Sequence, residues 1–213
     1  METTNRTGND QYTRNAPQVS TQLRPTDVKR LNRHWRRRTQ GRIALIAESV
    51  TQPFNLGSIL RTCATFGVET VWLAGNSADP AHPQVGKTAL GTEQKLRLEK
   101  ASTGAQAAAA ARGAGYRVAA VELARGAVPL HEAPLEGDVC LAVGAEDHGC
   151  SPGLLSAADT AVYIPQIGRV GSLNVAVAAA VAIAETRRRE WRELPGDAEG
   201  AGTAEAAEAP GSH

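Results

Sequence analysis

Short apolar runs of strand length alternate with longer helical stretches through the middle of this chain, and no other feature constrains its fold as much. IALIA is followed by NLGSILRTCATFG and TVWLA, and later come LRLEK, TGAQAAAAARGAG, YRVAAVEL, DVCLAVG and TAVYI. Strands separated in this way pair in parallel, because a parallel pair needs a crossover long enough to hold a helix. The expected fold is therefore α/β, a parallel sheet flanked by helices. The alanine-dominated helix near residues 103 to 112 reads as scaffold packed closely on that sheet. With 213 residues, 42% hydrophobic and 21% charged, the chain is expected to form one well-packed domain with tails.

The net charge of +1 conceals ends of opposite sign. Residues 1–25 show neither helical nor strand period and read as a disordered polar extension. Residues 26–42 form a basic segment in which Lys29, Arg30, Arg33, Arg36, Arg37, Arg38 and Arg42 face the single acid Asp27. It reads as a short basic helix. A solvated face is one account of it; contact with a phosphate backbone, with His34 and Trp35 available for stacking, is the other. Arg33, Arg36, Arg37 and Arg38 are its candidate RNA contacts. Residues 43–192 make up the main domain. Its last stretch, SLNVAVAAAVAIAETRRREW, reads as a helix buried early and exposed late, at Arg187, Arg188 and Arg189. Residues 193–213, with Asp197, Glu199, Glu205 and Glu208 among Ala and Gly, read as a disordered acidic tail.

No run approaches the roughly 20 apolar residues of a membrane span, and the polar start METTNRTGNDQYTRN lacks a signal-peptide core. A cytoplasmic protein without membrane attachment is expected. Cys63, Cys140 and Cys150 lack C-x-x-C spacing and read as ordinary thiols, with no metal site.

A nucleotide-binding α/β protein commonly places a glycine-rich turn after its first strand, where the next helix offers free N–H groups to phosphate. Here that position reads ESVTQPFNLGSILRT. Pro53 bars helix before Asn55, and Asn55, Gly57 and Arg61 open an amphipathic helix. Taken alone, Asn55 is an N-cap and Arg61 a surface cation. The glycines gather later, in LAVGAEDHGCSP and IPQIGRVGSLN, each following an apolar strand. Gly144 and Gly149, and Gly168 and Gly171, permit backbone angles and close ligand approach that side chains would block. Both loops are expected outside the carboxyl ends of the sheet, where α/β folds bind ligands, and to share one pocket. Glu146, Ser172 and Asn174 are their notable polar residues. Ser172 reads as the N-cap of the last helix, which leaves Asn174 spare for another task. Asp147 and His148 are read as pointing apart, without the order of a hydrolase triad.

At this point a family resemblance is specific. NLGSILRTCATFGV, LAVGAEDHGCS and IPQIGRVGSLNVAVAAAVAIAE resemble, in order, motifs one, two and three of the SpoU family of RNA 2'-O-methyltransferases, across roughly residues 43 to 190. The resemblance implies a SPOUT fold, an α/β sheet with a deep carboxyl-terminal trefoil knot, one of the rare exceptions to unknotted topology. It implies S-adenosylmethionine as cofactor, held largely by backbone groups at Val121, Gly144, Ile164 and Leu173, and it requires no metal. The catalytic set it implies is Asn55, Arg61, Glu146, Ser172 and Asn174. Asn55 would position Arg61 or the ribose, Glu146 would hold a network with Arg61 and Asn174, and Ser172 and Asn174 would shape the pocket. In the family Arg61 is assigned removal of the ribose 2'-hydroxyl proton. A guanidinium normally stays protonated, so orienting the hydroxyl and stabilising the developing oxyanion is the alternative. The resemblance also implies a homodimer whose active site forms at the interface.

Members acting on ribosomal RNA often carry an extra amino-terminal RNA-binding domain, for which the segment before Ile43 has no room. The short basic segment is similar to that of the subgroup methylating guanosine 18 in the tRNA D-loop, so tRNA is the expected substrate. A 23S ribosomal RNA methyltransferase and a noncatalytic RNA-binding protein on the same fold are the alternatives. With eight aromatic residues (Phe 2, Trp 3, Tyr 3), recognition is expected to rest on phosphate contacts and RNA shape.

Overall fold

The computed structural model describes residues 21–192. The expectations for residues 1–20 and 193–213 lie outside the described residues. Residues up to Arg38 and residues from Thr39 onward form two compact units.

In the first unit, α1 (Pro25–Arg38) has Asp27 in its first turn and Arg36, Arg37 and Arg38 in its last, the arrangement the helix dipole favours. The 3.6-residue period gathers Lys29, Arg30, Arg33, Arg36 and Arg37 on one side, all exposed, and puts Val28, Leu31 and Trp35 on the other. The Arg38 guanidinium lies 6.0 Å from the Trp35 ring centre.

The second unit is a seven-stranded sheet in which every pairing is parallel. In chain order its elements are β1 (Ile43–Glu48), α2 (Pro53–Phe66), β2 (Val68–Ala74), α3 (Pro83–Ala89), a 3-10 turn (Thr92–Lys95) and β3 (Arg97–Ala101). Then follow α4 (Gly104–Gly113), β4 (Arg117–Val121), β5 (Val128–Pro129), β6 (Val139–Val143), α5 (Pro152–Ala157), β7 (Thr160–Tyr163) and α6 (Val175–Arg192). The strand order is β3-β2-β1-β6-β4-β7-β5. Both β1 and β6 are buried at every position, which is why IALIA and VCLAV read as unbroken apolar runs rather than alternating ones.

Successive β1 residues feed opposite layers. Ile43, Leu45 and Ala47 pack into a core shared with Leu56, Ile59 and Leu60 of α2, Val85 of α3, and Ala179 and Ile183 of α6. Ala44 and Ile46 face Ala107, Ala108 and Ala111 of α4 and Leu154 of α5. Helices thus cover both faces, and the alanine row of α4 lets its backbone approach the sheet. No described helix is long and apolar enough to cross a membrane.

Several expectations change. Helix α2 begins at Pro53 itself, which occupies the first helical turn where its missing N–H costs nothing. Arg42 leaves the basic segment: it donates from Nε and Nη2 to Asp138 at 2.9 and 2.7 Å and lies 4.6 Å from the Tyr116 ring centre. The end of α6 is not an exposed basic patch. Arg187 is 3% exposed and donates to the carbonyls of Phe66, Gly41 and Gly67 and to Glu190. Arg189 is tied to the carbonyls of Ala133 and Leu130 and to Glu136 and Glu185. Arg188 alone of the three is exposed, paired with Glu185.

Candidate active site

The two late loops converge on one pocket of about 400 Å³ at the carboxyl ends of β4, β6 and β7. Val121, Gly144, Ile164 and Leu173, the four expected cofactor positions, all line it, as do Glu146 and Ser172. Its place follows from topology, since β6 and β7 flank β4 and the loops leaving their ends must meet. A side chain at Gly144 would collide with the backbone of Gly149 and Cys150, and Gly149 has φ +70°, so the tightness of this loop depends on both glycines. Gly168 and Gly171 are different: neither has a positive φ and neither has a neighbour within 4 Å of an added Cβ.

Loop 144–151 is held in place by main-chain hydrogen bonds to carboxylates distant in sequence. Cys150 N donates to Glu122 at 2.8 Å, and Ser151 N donates to Glu48 at 2.9 Å. Glu48 also accepts from Ser151 Oγ at 2.8 Å and from Gly104 N, the start of α4, at 2.9 Å. Glu48 is buried, and these donors offset its desolvation. Ala145 and Gly149 exchange two further backbone bonds, of 3.0 and 2.9 Å, across the loop.

At the rim three polar side chains join. Asn55 Nδ2 donates to Glu146 Oε2, and Asn174 Nδ2 donates to both Asn55 Oδ1 and Glu146 Oε1, each at 3.0 Å. Asn174 Oδ1 meanwhile accepts from Ala176 N at 3.0 Å and Val177 N at 3.3 Å. Asn174, not Ser172, is therefore the N-cap of α6, and one face of its amide starts the helix while the other enters the trio. Ser172 lies on the pocket wall.

Arg61 does not join this group. It lies six residues, about 9 Å of helix rise, beyond Asn55 on α2 and roughly 120° around the axis. Exposed and outside the pocket lining, its side chain makes no hydrogen bond or ion pair among the described residues. Asp147 and His148 meet, contrary to expectation, with Oδ1 and Nδ1 2.6 Å apart at the pocket wall. The candidate RNA contacts Arg33, Arg36, Arg37 and Arg38 all sit on α1, in the other unit.

The three cysteines are buried, and burial pushes each thiol up from its ordinary value, so Cys150 is an inert neighbour of the pocket. Glu48 and Glu122 were missed by sequence reasoning. Their one visible signal was an acid at the end of an apolar strand, IALIAE and RVAAVE.

A fully parallel sheet with helices on both faces and a ligand-sized pocket outside its central strand ends defines a ligand-binding α/β protein. Within that class the chain belongs to the SpoU rRNA Methylase family, whose model matches residues 42–184. It is 34% identical over 158 residues to the tRNA (guanosine(18)-2'-O)-methyltransferase of Thermus thermophilus, covering 73% of this chain and 79% of that one. It is 32% identical over 148 residues to the 23S rRNA (guanosine-2'-O-)-methyltransferase RlmB of Acinetobacter baylyi, covering 69% and 60%. An AdoMet-bound rRNA methyltransferase from Sinorhizobium meliloti superposes with a TM-score of 0.66 at 30% identity, over 71% of this chain and 57% of that one. The chain thus spans less than two thirds of the length of some relatives it matches.

Proposed function

We propose that this protein transfers a methyl group from S-adenosylmethionine to a ribose 2'-hydroxyl of RNA, that the RNA is tRNA with D-loop guanosine 18 as its target, and that the working unit is a homodimer. The observation that carries the chemistry is the Asn55–Glu146–Asn174 trio at the rim of a pocket lined by Val121, Gly144, Ile164 and Leu173, in a chain of this family. The pocket fits the cofactor: about 400 Å³ lies within the roughly 300–1,000 Å³ of small-molecule sites, and the wall pairs apolar side chains with open backbone. S-adenosylmethionine supplies an electrophilic methyl group when bound.

The protein's share of the reaction is positioning and electrostatics. Glu146, fixed by two amide donors, holds the rim rigid. Arg61 donates to the ribose oxygen and stabilises negative charge developing there, a role that the donor fork of a guanidinium permits. Because Arg61 stands apart from the trio within one subunit, the catalytic set is completed by RNA and a second copy. Leu173, Val177 and Val181, exposed along and just before α6, support an apolar dimer face there. The exposed cations of α1 and the 34% identity to a tRNA guanosine-18 enzyme support tRNA.

The test is transfer of labelled methyl to unmodified tRNA and to ribosomal RNA transcripts, with wild type and Arg61→Ala. Ribose methylation mapped to D-loop guanosine and lost in the variant is the expected result. Label confined to ribosomal RNA overturns the substrate, and label in neither overturns the activity. Sedimentation of the full chain as a monomer overturns the dimer.

A further inference from the structure

Glu122 stands at the carboxyl end of β4, the strand lying between β6 and β7, and it lines the pocket beside Val121, Val143 and Ile164. Its own N–H donates to Val162 O at 2.8 Å, which continues the β4–β7 pairing and fixes where the side chain starts. Oε2 accepts from Cys150 N at 2.8 Å and Oε1 from Leu123 N at 3.0 Å. A carboxylate offers about four lone-pair sites, so two acceptor sites remain, one on each oxygen.

The other carboxylates of the pocket face polar side chains, whereas both donors to Glu122 are main-chain N–H groups. Glu146 is bound by Asn55 and Asn174, and Asp147 meets His148. Glu122 is thus the acceptor-only group set among apolar wall residues, and it suits a ligand with a pair of neighbouring hydroxyl donors. In S-adenosylmethionine that pair is the ribose 2',3'-diol. A carboxylate at a strand's carboxyl end meets a ribose hydroxyl in other parallel α/β folds for the same geometric reason.

We infer that Glu122 binds the ribose diol of the cofactor, accepting one hydroxyl at each oxygen while Cys150 N and Leu123 N hold the carboxylate in place. The inference rests on the cofactor reading of the pocket. It gives Glu122 two tasks, since the carboxylate that orders Gly149–Cys150 also orients the nucleoside. Hydrogen bonds to a charged acceptor are the stronger kind, and removing a donor hydroxyl leaves that acceptor unpaired in the pocket.

The test is calorimetric titration of the full-length protein with S-adenosylhomocysteine, its 2'-deoxy and 3'-deoxy analogues and S-adenosylmethionine, using wild type, Glu122→Gln and Glu122→Ala, with circular dichroism melting as the fold check. Wild type is expected to bind the parent ligand about tenfold more tightly than either deoxy analogue. That gap shrinks in Glu122→Gln, whose amide oxygen still accepts from Cys150 N, and closes to within about twofold in Glu122→Ala. If Glu122→Ala fails to fold, the glutamine variant carries the comparison. An undiminished gap in the folded variants overturns the assignment. So does a glutamine variant that loses S-adenosylmethionine but keeps S-adenosylhomocysteine, since the carboxylate would then face the sulfonium charge. Wild type that binds none of these ligands overturns the cofactor reading itself, and the assignment with it.

Discussion

Two arginine-rich segments look alike in the sequence, RHWRRR in α1 and RRREWR at the end of α6, yet the structure treats them oppositely. On α1 the guanidinium groups of Arg30, Arg33, Arg36 and Arg37 reach outward along one exposed face. On α6, Arg187 is buried against three backbone carbonyls, and Arg189 is held by two carbonyls and two carboxylates. An arginine fork satisfies orphan carbonyls at the ends of α2 and of the loops beside it, which a lysine could not do as completely. Local charge is therefore available to a nucleic-acid partner only where the donors are left unspent.

Removing an anchored arginine tests this most severely. Arg187→Ala removes a buried fork and leaves three carbonyls and one oxygen of part-buried Glu190 without this donor, and unfolding in denaturant is expected to show a loss of about 2 kcal/mol or more. RNA affinity per folded molecule should stay unchanged. Were stability unaffected and RNA binding lost, the two segments would belong together after all. The converse change, Arg33→Ala with Arg37→Ala, should leave stability within about 0.5 kcal/mol. It should also weaken RNA binding about tenfold at moderate salt, with the log–log salt slope shallower by roughly 1.5.

Arg42 sits between the two cases, a cation of the basic segment that turned out to be structural. Its guanidinium and backbone N–H hold the Asp138 carboxyl below the usual carboxylate range. A depressed folded-state pKa means that the stabilisation is complete above the unfolded value, near about 3.9, and is lost as pH falls through the folded one. Asp138→Asn is thus expected to flatten the decline of stability on acidification below about pH 4, measured by urea unfolding across that range. The smallest effect belongs to Arg188→Ala, which breaks an exposed pair with Glu185. Its thermal midpoint should move by no more than about a degree, and RNA affinity should not change.

Why the sequence distinguished these cases poorly is a matter of angle. Arg187 and Arg188 are one residue apart, and 100° of helix rotation takes one into the protein and the other into solvent. The sheet was legible because fully buried parallel strands leave continuous apolar runs, and the pocket because loops at the ends of adjacent strands must converge. Strand β5 and helices α3 and α5 were not, since two, seven and six residues are too short to show a period. The capping role of Asn174 was assigned to Ser172 because both types cap helices and only the helix start decides between them. The partners of Glu48 and Glu122 lay 103 and 28 residues away, beyond any local pattern.

The two-sided amide of Asn174 has a temporal consequence. The residue that starts the last helix also joins Asn55 from the first crossover and Glu146 from the loop after β6, so no earlier stretch of chain can assemble the rim by itself. During synthesis the sheet can begin to form from β1 to β3 while the rim is still incomplete. The rim is then completed in a single late step, when α6 docks, and a chain cut short before that helix would carry most of the scaffold without the joined trio.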